Sequence, residues 1–300
     1  ATAQVYAIAL AASFLAAAGL TVLTRPWESD DVEPGTGGSP GGAGGGLGML
    51  FLPAWYLCAA GDWLQGPYVY ALYEAYGFPR EDIARLFVAG YGASLAVGTF
   101  VGSWVDRIGR KRGCQLYCAL YILACASKHF CNYPVLLMGR LAGGVATSLL
   151  FSAFESWLVG EERTRKGRTA TAGSDGADTQ TVDNSPRESL GRIFGLMWFG
   201  SSLIAIAAGP LGDAAVGMVP LTPTGGPAAF HYGGLTAAFD LAVVVLLLGL
   251  GVISFSWQEN RGLAAAGPAV EADESTPEDG SPWALFLRGA EAVVSDPSLL

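Results

Sequence analysis

Charge is scarce in this chain. Only 14% of its 300 residues are Asp, Glu, Lys or Arg, while 51% are hydrophobic. A soluble domain carries roughly 25% charge, so the deficit points to lipid as the solvent. Histidine is scarcer still, with only His129 and His231, and the five cysteines form no C-x-x-C pair. Zinc needs clustered Cys and His ligands, so neither a metal site nor a cofactor is expected. Cys114, Cys118 and Cys125 instead fall on one helical face, as a packing seam would. No H-E-x-x-H pair occurs and both histidines sit near the ends of apolar runs, which argues against an enzyme. Net charge is −9, the wrong sign for a nucleic-acid partner.

What the chain does have is long apolar runs. Seven are long enough to span a bilayer, which takes about 20 residues. The first, residues 5–23, has no basic n-region and no convincing cleavage site, so it reads as an extra anchor helix rather than a signal peptide. Residues 25–50 turn to Gly, Pro, Ser and acid, the composition of a flexible linker. Six more spans follow, at about 53–76, 83–105, 113–130, 135–159, 190–209 and 235–257. The expected organisation is an anchor helix (1–24), a linker (25–50), an all-α transmembrane six-helix bundle (51–258) with a polar loop at 160–188, and an acidic linker (259–300). The chain starts at Ala1 rather than Met, and it reads as an incomplete open reading frame.

Loop charge sets the orientation. Lys and Arg beside membrane spans stay on the cytoplasmic side. The turn after the second span holds Arg107, Arg110, Lys111 and Arg112, and the 160–188 loop holds Arg163, Arg165, Lys166, Arg168 and Arg187. Residues 211–234 hold no Lys or Arg at all. All three loops agree on one topology, with the 106–112 turn inside and Ala1 outside. A multi-pass protein of the plasma membrane is expected.

Polar residues inside spans need a reason, since an ionised group at the bilayer centre costs roughly 2.5–3.5 kcal/mol. They concentrate in two spans. On the fourth, Arg140, Gly144, Ser148, Phe151 and Glu155 share one helical face. Arg140 and Glu155 lie about 22 Å apart along that axis, too far to pair. The first of the six later spans (53–76) carries Asp62, Gln65, Tyr68, Tyr70 and Tyr73 around Gly66-Pro67, a pair that breaks the backbone ladder. Lys128 and His129 end the third span on the outer side, where snorkelling is the expected role and attraction of an anion to the mouth the alternative.

Two motifs carry a family resemblance. The turn Gly102-x-x-x-Asp106-Arg107-x-Gly109-Arg110-Lys111 resembles the signature loop after the second helix of the major facilitator superfamily, and Gly139-Arg140-Leu-Ala-Gly143-Gly144 resembles its second motif. More narrowly, Asp62–Glu74, Gly139–Gly144 and Leu149–Trp157, with the extra helix ahead of them, look like the molybdate-anion transporter branch. That likeness covers about residues 58–257 and implies a second six-helix half downstream.

The resemblance implies a secondary transporter that takes up molybdate by alternating access. Arg140 is then the candidate partner of the oxyanion, Asp62 and Glu155 candidates for proton coupling or for balancing Arg140, and Gln65, Tyr68, Tyr73, Ser148 and Ser152 neutral donors. Gly102, Asp106, Arg107, Gly109, Arg110 and Lys111 would form the cytoplasmic gate against the second half. A facilitator of a sugar, organic anion or drug remains open, as does a membrane scaffold or sensor that moves nothing.

Overall fold

A computed structural model describes residues 45–172, 185–224 and 230–261. The expected anchor helix at 5–23, the linker up to residue 44, the middle of the 160–188 loop and the stretch after 261 lie outside the described residues.

Helix α1 (Gly45–Gln65) begins well before the expected boundary at residue 53. Glycine costs up to about 1 kcal/mol in a helix interior, which makes this stretch look like linker. Leu47, Phe51 and Leu52 are nevertheless buried in the core, and that burial decides. The span breaks at Gly66-Pro67, and α2 (Tyr68–Ala75) resumes it. Helix α3 (Arg80–Ile108) carries Glu81 and Asp82 in its first turn and Arg107 in its last, matching the helix dipole. Gly109 ends it at φ +113°, a conformation few other residues adopt, and α4 (Arg110–Ser127) starts at once.

Helix α5 (Tyr133–Ala172) runs 40 residues, so the first part of the expected 160–188 loop is helical. Glu161–Arg165 at 3.0 Å and Glu162–Lys166 at 2.7 Å support that polar extension, in the acid-first i,i+4 order that favours helix. Helix α6 (Ser185–Val216), a short antiparallel hairpin β1 (Thr222–Thr224) with β2 (Phe230–Tyr232), and α7 (Thr236–Ser256) complete the order.

Among the described residues, five helical spans are long and apolar enough to cross a membrane. Helix α4 falls outside that set because Arg110, Lys111 and Arg112 occupy its first turn, yet one face of it lies in the core, with Cys114, Tyr117, Cys118 and Cys125 all fully buried. Helix α3 is the opposite case: Val88, Tyr91 and Leu95 form an exposed stripe, 70%, 68% and 77% exposed. Lipid or protein has to cover such a surface.

The helices interleave. The first span (α1) packs on α6 and α7, the second and third helices of the later trio. The fourth (α5) packs on α3 and α4, the second and third spans of the earlier one. Helices α4 and α7 meet between them. This exchange is the pattern of two three-helix repeats, as transporter halves are built.

Two apolar clusters fill the bundle. One, around Phe51, Trp55, Tyr117, Phe154, Trp157 and Trp257, occupies the end that carries Arg110. The other, around Leu72, Tyr73, Ile83, Leu136 and Phe239, occupies the hairpin end.

Candidate functional site

Along each helix the two clusters leave a gap, and there a cavity of about 240 Å³ opens. Asp62 and Gln65 reach it from α1, Phe87, Gly90, Tyr91 and Ser94 from α3, Tyr121 from α4, and Arg140, Gly144 and Thr147 from α5. The span break at Gly66 also lines it.

Arg140 dominates the wall. Its Nε donates to the Leu86 carbonyl at 3.3 Å, and its guanidinium lies 4.5 Å from the Phe87 ring centroid and 5.9 Å from that of Tyr91. Among the described residues no carboxylate lies within salt-bridge distance of it. Two glycines make the room. A Cβ at Gly90 would come within 3.0 Å of the guanidinium, and one at Gly144 would run into the Gly90 carbonyl. The glycines of the Gly139–Gly144 motif therefore serve helix approach, and Arg140 uses the space.

A second cation lines the same cavity, and it overturns an expectation. Lys128, just past α4, does not snorkel outward. It is 2% exposed, its Nζ donates to the Tyr73 hydroxyl at 2.7 Å, and no described carboxylate pairs with it. The backbone around it is held from outside. Tyr76 donates its hydroxyl to the Lys128 carbonyl at 2.5 Å. His129 packs flat on Phe230, with Nδ1 2.8 Å from the His231 carbonyl and Nε2 3.0 Å from the Asp240 carboxylate. The hairpin thus braces the residues that follow Lys128. Its position could have been read from the helix face: residues 121, 125 and 128 repeat at helical spacing on the buried side.

The structure brings Asp62, Gln65 and Arg140 together at the cavity and leaves the other sequence candidates elsewhere. Asp62 accepts a hydrogen bond from Tyr121. Gln65 folds back to donate to the Gly61 carbonyl at 3.2 Å. Tyr73 stands behind the cavity as the support of Lys128. Tyr68 turns to α6, donating to Asp213 at 2.7 Å. Ser148 donates to the Ser94 carbonyl at 2.8 Å, tying α5 to α3, and Ser152 donates to the Ser148 carbonyl at 2.7 Å. Glu155 is half-buried farther along α5 and is not among the lining residues.

A second constellation sits at the opposite end. Arg110 donates Nε to Asp106 at 2.7 Å and its backbone N–H to the Asn260 carbonyl at 3.0 Å. Its guanidinium lies over Gly160 of α5. Lys111 Nζ donates to the Ser254 and Trp257 carbonyls at 2.9 and 2.7 Å. Glu259, missed in the sequence, receives the backbone N–H of Lys111 and of Arg112. Trp157 and Trp257 stack 3.8 Å apart beneath this strap. Arg107 closes α3, and a Cβ at Gly102 would meet nothing within 4 Å. The turn is therefore locked on one side by its own chain, with open space where a side chain at Gly102 would point.

Comparison with known proteins places these features. Residues 49–275 match a family model described as sugar transporters with twelve transmembrane segments. The molybdate-anion transporter of Xenopus tropicalis is 33% identical over 217 residues, which is 71% of this chain and 40% of that relative. That of Xenopus laevis is equally similar, with 41% of it covered. The molybdate-anion transporter of Danio rerio is 43% identical over 111 residues, 37% of this chain and 23% of that protein. The chain spans about 40% of the length of the Xenopus relatives it matches. No solved structure matches it.

Proposed function

This chain belongs to the major facilitator superfamily of multi-pass membrane transporters, and from that premise we propose that it serves the uptake of molybdate by alternating access. Transport, not catalysis, is the family's work. The observation that carries the oxyanion reading is Arg140, a half-buried guanidinium on a mid-bundle cavity with no described carboxylate partner. Buried charge is normally paired, and a planar guanidinium presents two parallel donors to a tetrahedral oxyanion. The size agrees: about 240 Å³ is below the roughly 300–1,000 Å³ of sites for drug-sized ligands. Relatives bearing the molybdate name supply the particular anion.

In this reading the bundle is one half of the carrier, and substrate sits where two halves meet. The turn at Asp106–Arg112 faces the cytoplasm of a cell bounded by the plasma membrane. Gly102, with its open surroundings, offers the second half a close approach, while Asp106, Arg107, Gly109, Arg110 and Lys111 hold the inner gate. Asp62 faces the cavity as the coupling or balancing carboxylate.

The test is uptake of labelled molybdate by cells expressing the full coding sequence. Arg140→Ala is expected to lower uptake efficiency by about 10- to 100-fold, the scale of a lost hydrogen bond to a charged group. Unchanged rate and affinity would refute the anion role. A sugar is the second reading, favoured by the family model's description and by the Phe87 and Tyr91 rings on the wall. Competition by hexoses but not by tungstate or sulfate would select it.

A further inference from the structure

We infer that Lys128 is the second cationic pole of the site and that it sets a preference for doubly charged over singly charged tetrahedral oxyanions. This rests on the oxyanion reading of the cavity and adds to it a residue and a charge rule.

Lys128 and Arg140 line one cavity, and neither has a described carboxylate partner. One unpartnered cation could be an accident of packing; two on one wall make a field that selects anions. The carboxylate that lines the cavity, Asp62, takes the Tyr121 hydroxyl rather than either cation. The cations therefore stay free for a ligand.

Lys128 is also built in, not merely present. The residue is 2% exposed, the Tyr73 hydroxyl at 2.7 Å takes one of its three N–H donors, and the Tyr73 ring centroid lies 5.1 Å away. Tyr76 holds the carbonyl of the same residue. A lysine so fixed acts as a positioned point charge, complementing the planar fork of Arg140. Burying a cation without a counter-charge is unfavourable, and a dianion relieves both cations where a monoanion relieves one. Discrimination follows from charge at constant shape.

Molybdate and perrhenate are both tetrahedral tetra-oxo anions of similar size, and they differ by one unit of charge. The experiment measures labelled molybdate uptake in cells expressing the full coding sequence, with unlabelled molybdate or perrhenate as competitor and surface expression quantified. The wild type is expected to favour molybdate by at least about tenfold. Lys128→Met is expected to weaken molybdate by about tenfold or more while leaving perrhenate nearly unchanged, collapsing the ratio; Lys128→Arg keeps it. Arg140→Met weakens both. If Lys128→Met reaches the surface and the ratio persists, the inference is overturned. If Lys128→Met does not reach the surface, the neutral but hydrogen-bonding Lys128→Gln decides: a molybdate-over-perrhenate ratio kept at the wild-type value overturns the inference equally. A wild type that takes up neither anion overturns the oxyanion reading itself, a different failure from an unmoved ratio.

Discussion

Glu259 caps the helix that Arg110 begins: its carboxylate accepts the Lys111 backbone N–H at 2.9 Å, and its other oxygen takes that of Arg112 at 3.2 Å. The first amides of a helix have no partner within it, and a negative charge there also meets the positive end of the dipole. Gly109 is what lets the carboxylate so near, since a Cβ at that position would lie 2.5 Å from the Glu259 carboxyl carbon. Glu259→Ala is expected to cost about 1 kcal/mol of stability. Thermal unfolding in detergent would show it, with a smaller difference at high salt because the group is partly exposed. An effect independent of salt would mean that shape, not charge, holds the strap.

Gly144 and Gly90 face each other where α5 crosses α3, and they separate stability from binding. Gly144→Ala puts a methyl group into the Gly90 carbonyl and is expected to destabilise by about 1–3 kcal/mol, as overpacking does. Gly90→Ala instead crowds the Arg140 guanidinium at 3.0 Å. Its expected mark is a raised KM for uptake with a smaller loss of thermal stability. Equal stability losses in the two variants would contradict this division.

Gly102 has open space around it. Gly102→Ala is therefore expected to leave thermal stability unchanged or raise it by up to about 1 kcal/mol, the helix preference of alanine. Uptake, by contrast, should fall, because the methyl group intrudes on the second half. Normal uptake would show that nothing docks closely there.

Asp62→Asn removes the carboxylate that lines the cavity beside two cations. Oxyanion affinity is expected to rise several-fold, since a like charge leaves the site. Uphill accumulation driven by a proton gradient should be lost while exchange of labelled for unlabelled anion continues. Preserved accumulation would make Asp62 a balancing charge only.

The apolar spans were legible because hydropathy over about 20 residues is a strong signal, and the all-α class followed from it. Their ends were not. Gly45–Leu50 has the composition of a linker and folds as helix because Leu47 is buried. Residues 160–172 have the composition of a loop and extend α5 through acid-first ion pairs. The β1–β2 hairpin has too short an apolar pattern to announce itself, whereas the inward side of Lys128 was readable from the helical spacing of residues 121, 125 and 128. Arg140, Asp62 and Gln65 were visible as polar residues in apolar surroundings. Ser148, Ser152 and Tyr68 looked alike in the sequence, but each spends its hydroxyl on a neighbouring backbone or carboxylate. Composition shows that a donor exists; it does not show which acceptor is nearest.

The exchange of packing partners between α1 and α5 has a consequence for how the protein is made. A ribosome delivers the first span long before α6 and α7, the helices it rests on, so α1 waits in the bilayer with that packing face uncovered. Each newborn trio is an unfinished half of two intertwined structures. Assembly then depends on late, long-range association rather than on neighbours joining in turn, and the period before α7 emerges is when chaperones or degradation would find this chain most vulnerable.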